Sequence, residues 1–395
     1  MAKLRLDKSV PLKPKSVAKV AAKPAKPVAR PVAKTVVKPL AKSAAESVSK
    51  PAAEAVANDR IGYLLQSPPG LANVLKKELN FVGATARDQK LFVKLQRNHD
   101  LLFLNHVKSD ERLDELRTAE MVLRCPAYGR FKISQRQLSL MADELKSTGP
   151  RRLVVTVAGK QFQRQDLARF LTKAMSERGY EFDEDTEDEV WMFTIDESWY
   201  FGLPLFKARN MAHRNERASE REGSLPPPIA AAIAFASVPK NEDVVLDPTC
   251  GSGTLLAEYH SFAPEAHLIG CDIDANAVTV AKKNLAAVSN VKILKADSRD
   301  LGVIGDDIKF SLVIANLPFG VQFGDRASNP DLYRDILREC IRTANHDLWR
   351  GLFLTSDTEA FEKAVRDVAE LTQPETMFKA KVRGELATCY RVKLR

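Results

Sequence analysis

Residues 244–256 read VVLDPTCGSGTLL. A β-branched, apolar run ends at Asp247. Gly251 and Gly253 follow in a tight turn, and an apolar helix-forming segment begins directly after them. Strand, glycine turn and helix in that order make the opening unit of a parallel sheet. The alternation continues downstream. HLIGCD (267–272), VKILKA (291–296), FSLVIAN (310–316) and GLFLT (351–355) are short β-branched or apolar runs. Helical segments around 253–263, 274–288, 331–345 and 358–370 separate most of them, which places helices on both faces of the sheet. The last two runs, MFKAKV (377–382) and CYRVKL (389–394), have no helix between them. The sheet is therefore expected to close with an antiparallel hairpin.

The turn itself limits what can bind there. Glycines let a ligand approach the backbone closely, and a helix N-terminus favours negative charge. A dinucleotide would call for GxGxxG, but position 256 is Leu, so that fingerprint fails. S-adenosylmethionine carries no phosphate. It needs an acceptor for its amino group and close backbone contact along its methionine moiety, which Asp247, Gly251 and Gly253 can supply. The second strand ends in Asp272, placed to take both ribose hydroxyls, with Ile273 beside it to lie on the adenine. The third strand runs into KADSRD, where Asp297, with Ser298 next to it, can accept from the adenine amine. Each aspartate alone could equally be a helix N-cap. Three acids at the carboxyl ends of successive strands point to a ligand, because that edge is where ligands bind in open α/β sheets.

The fourth strand ends in IANLPFG (314–320). Asn-x-Pro-aromatic at that place resembles the loop of methyltransferases that act on planar exocyclic amines. Together with DPTCGSGT (247–254), DLYRDILREC (331–340), GLFLTSD (351–357) and the terminal hairpin, it resembles the RNA guanosine-N2 methyltransferases that carry an N-terminal THUMP domain. Within that family the order is most similar to the enzymes that modify a guanosine of the tRNA acceptor stem. The resemblance implies an α/β, Rossmann-like class I methyltransferase sheet preceded by a small α+β ferredoxin-like and THUMP module. It implies S-adenosyl-L-methionine as cofactor, and Asn316, Pro318 and Phe319 as catalytic residues. The guanine amine is a poor nucleophile because its lone pair is delocalised into the ring. The Asn316 side-chain oxygen and the Pro318 carbonyl could bind its two hydrogens, while Phe319 stacks on the base. Rate would come from positioning and preorganised electrostatics. Two departures stand out: Leu317 occupies a position where many amine methyltransferases have Pro, and SLPPP (224–228) lacks the polar or basic residue that relatives show after the Leu.

Upstream, YLLQSPPGLANVLKKELNFVGATARDQKLFVKL (63–95) reads strand, helix, turn, strand. RRLVVTVAG (151–159), an amphipathic helix and the strand pair VWMFTIDESWYFGL (190–203) form a second unit. The expected organisation is a basic tail over 1–58, an RNA-binding module over 59–205, a linker over 206–228 and the methyltransferase domain over 229–395. Presenting a base to the catalytic loop requires it to leave its stack, at about a few kcal/mol. The upstream module is the expected source of compensating RNA contacts. Lys160, Arg164 and Arg169 around its helix, with Lys207 in the linker, are the candidates, although a solvated helix face would read the same way.

Charge is less informative than it looks. The 395 residues carry a net +9, but residues 1–58 hold 11 Lys and 2 Arg against 3 acids, so the remainder is nearly neutral. That Lys/Ala/Pro-rich tail lacks aromatics and has too many prolines for a stable helix. It reads as a polycationic arm for RNA, a solubilising tail or, given its few acids, a transit peptide. Five scattered cysteines without CxxC spacing argue against a disulfide framework or zinc site and for a reducing, cytoplasmic setting. No membrane span, metal site or oligomer is indicated, and a monomer is expected. Cys250 lies in the glycine turn, so it reads as a turn-filling residue rather than the nucleophile of a cytosine-C5 methyltransferase. The rival readings are a 23S rRNA guanosine-N2 methyltransferase, a DNA adenine-N6 methyltransferase sharing the Asn-x-Pro-aromatic loop, and a non-catalytic RNA-binding or assembly factor.

Overall fold

A computed structural model describes residues 61–84, 86–96, 99–107, 111–158, 163–205, 224–320 and 326–395. The basic tail, residues 206–223 of the expected linker and two of the four candidate RNA contacts, Lys160 and Lys207, lie outside the described residues. From residue 53 onward the chain forms one compact unit.

The N-terminal part contains β1 (Gly62–Ser67), α1 (Ala72–Phe81), β2 (Ala86–Gln96), β3 (His99–Val107) and β4 (Met121–Arg130). It continues with α2 (Gln135–Thr148), β5 (Arg152–Ala158), α3 (Arg164–Ser176), β6 (Glu189–Ile195) and β7 (Ser198–Pro204). Sequence periodicity divides this stretch into two separate α+β units. The structure instead joins all seven strands into one sheet, in the order β2-β3-β1-β4-β7-β6-β5. The join is β4, which pairs antiparallel with β1 on one side and β7 on the other. Its sequence, MVLRCPAYGR, carries a proline and two polar breaks that hide the strand pattern. Pairing shifts register between Arg124 and Ala127, the proline position, where a strand cannot donate to its neighbour.

The C-terminal part contains α4 (Pro227–Ala236), β8 (Val244–Asp247), α5 (Thr254–Phe262), β9 (His267–Asp272), α6 (Ala275–Asn284), β10 (Val291–Lys295) and β11 (Leu312–Asn316). It ends with α7 (Asn329–Arg342), β12 (Arg350–Thr355), α8 (Thr358–Arg366), β13 (Glu375–Val382) and β14 (Glu385–Lys393). Its strand order is β10-β9-β8-β11-β12-β14-β13. The first five strands are parallel, and β14 runs antiparallel to both β12 and β13. The expected parallel sheet and closing hairpin are both present. Alternate residues point to opposite faces: Val245, Leu268 and Ile314 pack with α4, α5 and α6, while Leu246, Ile269 and Val313 pack with α7 and α8. The helix α4 is apolar all round, and Ile229 through Ala234 are at most 1% exposed. Burial on every side is the only stable place for such a helix.

Leu71 and Val74, at the start of α1, belong to the same core as α4 and α5. The buried Glu78 of α1 accepts from the Arg117 backbone N–H at 2.7 Å, and the Arg117 side chain pairs with the buried Glu258 of α5 at 2.7 Å. The two sheets are thus fixed to each other through α1. A second buried network locks the edge where the parallel strands begin. Asp243 accepts from both terminal nitrogens of Arg350 at 2.9 and 2.7 Å, from Ser311 at 2.8 Å and from Tyr259 at 2.5 Å. Asp243, Ser311 and Arg350 precede or open β8, β11 and β12, leaving the opposite edge of the sheet free for a site.

Candidate active site

At the carboxyl ends of β8, β9, β10 and β11 lies a cavity of 470 Å³. It is lined by Asp247, Gly251, Asp272, Ile273, Asp297, Ser298, Asn316, Pro318 and Phe319, with the hairpin tip at Arg383 closing one side. Every cofactor and catalytic candidate named from the sequence lines this cavity except Gly253, which underlies it. Arg164 and Arg169 on α3 are exposed at the surface instead, and Arg169 has an ion pair with Asp166 at 3.5 Å.

The glycine loop explains itself stereochemically. Gly251 and Gly253 have φ of +54° and +80°, a region that side chains disfavour. Gly253 cannot carry a Cβ without meeting Leu285 at 2.8 Å, whereas nothing among the described residues lies within 4 Å of a Cβ on Gly251. Gly253 is there for packing against α6; Gly251 leaves open space over bare backbone. The loop is tied down from both sides. The Gly251 N–H donates to Asp272 Oδ2 at 2.9 Å, the Thr249 N–H to Asp247 Oδ1 at 3.1 Å, and the Thr249 hydroxyl to the Asn316 carbonyl at 3.2 Å. Thr249 therefore couples the glycine loop to the Asn-Leu-Pro-Phe loop, a link the sequence does not announce.

The three acids differ in environment. Asp247 is 2% exposed, and burial pushes its carboxyl up to about 8; the Thr249 N–H offsets this in part and the charge of Asp272 adds to it. Asp272 is half-buried, and its oxygens accept from Gly251 and Asp274 N–H groups at 2.9 Å each, leaving one lone pair free on each oxygen. Asp297 is held in a bidentate grip by Arg299, at 2.6 Å to Oδ2 and 3.0 Å to Oδ1. That pairing holds its carboxyl below the usual range. The sequence reading treats Asp297 as a free acceptor; the arginine two residues on, in the same KADSRD segment, turns one side of it away. Asp274, which lines the cavity too, caps α6 by accepting from Asn276 N–H at 2.8 Å.

In the Asn-Leu-Pro-Phe loop, Asn316 Oδ1 is buried and has no hydrogen-bond partner among the described residues. Leu317 anchors the loop: its side chain is 2% exposed and its N–H donates to the Leu354 carbonyl at 3.0 Å. The Pro318 carbonyl accepts from the Tyr333 hydroxyl at 2.5 Å, which leaves one lone pair for a ligand. Phe319 packs its inner side on the core and lines the cavity with the rest. Ser224 and Leu225 also line it, with the Ser224 hydroxyl 2.8 Å from that of Ser252. The SLPPP segment thus reaches the site through a serine and a leucine. Cys250 is 6% exposed and burial drives its thiol well above the usual range, as a turn-filling residue requires and a thiolate nucleophile does not.

Residues 214–384 match the family model described as RMKL-like, methyltransferase domain. The chain is 25% identical over 155 residues to the tRNA (guanine(6)-N(2))-methyltransferase THUMP3 of Bos taurus, covering 36% of this chain and 31% of that protein. It is 28% identical over 208 residues to the tRNA (guanine(6)-N2)-methyltransferase of Thermus thermophilus, covering 51% of this chain and 61% of that one. The aligned stretch spans only 27–33% of the length of the THUMP3 relatives. The fold is that of TrmN from Thermus thermophilus, with a TM-score of 0.71 at 20% identity over 85% of this chain and 100% of that one.

Proposed function

We propose that the chain, whose residues 214–384 match the RMKL-like methyltransferase domain model, transfers a methyl group from S-adenosyl-L-methionine to the exocyclic N2 amine of a guanosine in tRNA, in the acceptor stem. The observation that carries the reading is Asn316 Oδ1: a buried acceptor with no partner among the described residues, at the wall of a cavity that also exposes the Pro318 carbonyl. A buried acceptor left unpaired costs about 1–3 kcal/mol. Its retention here fits a ligand N–H that completes it.

The residues present suit the cofactor. The bare backbone at Gly251 leaves room along a methionine moiety, buried Asp247 supplies an acceptor for its amino group, and Asp272 has two free lone pairs for ribose hydroxyls. Ile273, 64% exposed at the rim, would offer an apolar face to adenine, and Ser298 and the outer side of Asp297, which line the same cavity, would be available to its amine. When bound, the cofactor supplies an electrophilic sulfonium methyl group. This chain's part is to hold the acceptor. Asn316 and Pro318 accept hydrogen bonds from the two amine hydrogens and turn the nitrogen lone pair toward the methyl group, Phe319 stacks on the base, and one proton leaves the nitrogen once it is methylated.

RNA as the partner is supported by the names of the relatives. We assign residues 59–205 as the ferredoxin-like and THUMP RNA-binding module. The test is to incubate the purified chain with unmodified tRNA and rRNA transcripts and methyl-labelled cofactor, then to identify the labelled RNA and nucleoside by mass spectrometry. N2-methylguanosine in an acceptor-stem fragment is expected. Label in rRNA alone, or in N6-methyladenosine, would replace this reading with one of its rivals.

A further inference from the structure

One tyrosine next to the catalytic loop has no part in the chemistry derived so far. Tyr333, on α7, is completely buried. Its hydroxyl donates to the Pro318 carbonyl at 2.5 Å and lies 3.0 Å from the Thr355 hydroxyl at the end of β12. The Thr355 oxygen accepts from the Asp357 N–H at 3.0 Å. Asp357 is in turn held by Asn329, whose side-chain nitrogen donates to it at 2.9 Å, and caps α8 through the Ala360 N–H at 3.3 Å.

Proton counting fixes the direction of this chain. A phenol has one hydrogen. With that hydrogen on the Pro318 carbonyl, the Thr355 hydroxyl must donate to the Tyr333 oxygen while accepting from Asp357. Donation thus runs one way: Asp357 N–H to Thr355, Thr355 to Tyr333, Tyr333 to Pro318. Hydrogen bonds chained in one direction polarise one another in a low-dielectric interior. Burial also pushes the phenol up to about 12, so it stays a donor across the neutral range.

We propose that Tyr333 is a positioning residue for the methyl-accepting amine, fixing the Pro318 carbonyl so that its remaining lone pair stays aimed into the cavity beside Asn316. The loop backbone is pinned at three successive points: the Asn316 carbonyl by Thr249, the Leu317 N–H by Leu354, and the Pro318 carbonyl by Tyr333. Of the three, only the Tyr333 contact falls on a main-chain group that the amine itself would use. The inference rests on the amine-methyltransferase reading above.

The test is Tyr333→Phe, which keeps the ring and deletes the donor. Single-turnover methyl transfer to tRNA is expected to slow by on the order of 10-fold, with the dissociation constants for S-adenosylhomocysteine and tRNA changed less than about twofold. A purely structural tyrosine would lower the melting temperature but leave the single-turnover rate of the bound complex untouched. Combined with Asn316→Ala, the loss should fall short of the product of the single losses, because both residues serve one amine. Should Tyr333→Phe fail to fold, Thr355→Val leaves the phenol in place and removes its donor; a rate lowered by about threefold supports the assignment, and a wild-type rate overturns it. If wild type methylates guanosine N2 and Tyr333→Phe does so equally fast, the role of Tyr333 fails alone. If wild type transfers no methyl group to guanosine, both readings fail together.

Discussion

The backbone N–H of Gly251 donates to Oδ2 of Asp272 at 2.9 Å. One carboxylate therefore does two things: it holds the glycine loop against the neighbouring strand and keeps a lone pair on each oxygen for a ligand. Asp272→Ala removes both, leaving the Gly251 N–H without its acceptor. We expect S-adenosylmethionine affinity to fall by roughly 1–3 kcal/mol, and Asp272→Asn, which preserves one oxygen, to fall by less. Titration calorimetry measures both, and unchanged affinity in Asp272→Ala would remove it from the cofactor site.

Asp247 predicts a pH dependence. With its carboxyl pushed up to about 8 by burial, it is mostly neutral at pH 6 in the free protein. A cationic amino group binds the ionised form, so binding should release a proton and affinity should rise between pH 6 and 7.5. The sign for stability is opposite. A carboxyl whose folded pKa is raised contributes stability at low pH that is lost as pH rises through about 8. The free protein should therefore lose melting temperature from pH 6 to 9 relative to Asp247→Asn. Affinity that is flat between pH 6 and 7.5 would contradict the assignment of Asp247.

The Asp243–Arg350 pair belongs to the fold and not to the chemistry. Burial alone would raise the Asp243 carboxyl, but hydrogen bonds from Arg350, Tyr259 and Ser311 outweigh it and hold the carboxyl below the usual range. That stability is present above the unfolded pKa and is lost as pH falls through the folded one. Arg350→Met leaves a buried carboxylate short of its counter-charge and should cost about 3–5 kcal/mol. Chemical denaturation reads the loss. Cofactor affinity of the folded fraction should not change, since the pair sits at the far edge of the sheet.

Much of this was legible in the sequence because the relevant positions obey local rules. Strands β8 to β11 are short apolar runs bounded by turns, and their carboxyl ends carry or lead into Asp247, Asp272, Asp297 and Asn316, which line the cavity. The N-terminal sheet was less legible. Strand β4 is broken by a proline, and β3 and α2 carry no motif, so two units were read where one sheet exists. Partners were the least legible. That Arg299 grips Asp297, that Thr249 reaches the Asn316 carbonyl, and that Tyr333 finds Pro318 depend on side-chain directions that residue spacing does not encode. For Arg299, the Asp-x-Arg spacing alone was a usable hint.

Phe319 should matter for the base and little for the cofactor. Phe319→Ala is expected to cost about 1–3 kcal/mol in stacking, seen as weaker placement of the target guanosine. Fluorescence of a 2-aminopurine substituted at the target position reads this directly. Bulk tRNA affinity should stay near wild type, and a loss there would make Phe319 a general RNA contact instead.

The central claim is that Asn316 orients the amine, and the single-turnover rate of Asn316→Ala tests it most directly. The variant deletes the buried oxygen that has no partner among the described residues and leaves the glycine loop and the N-terminal sheet untouched. With saturating S-adenosylmethionine and tRNA, methyl transfer to guanosine N2 should slow by on the order of 10²-fold or more, while both binding constants hold. A wild-type rate in Asn316→Ala would contradict the account.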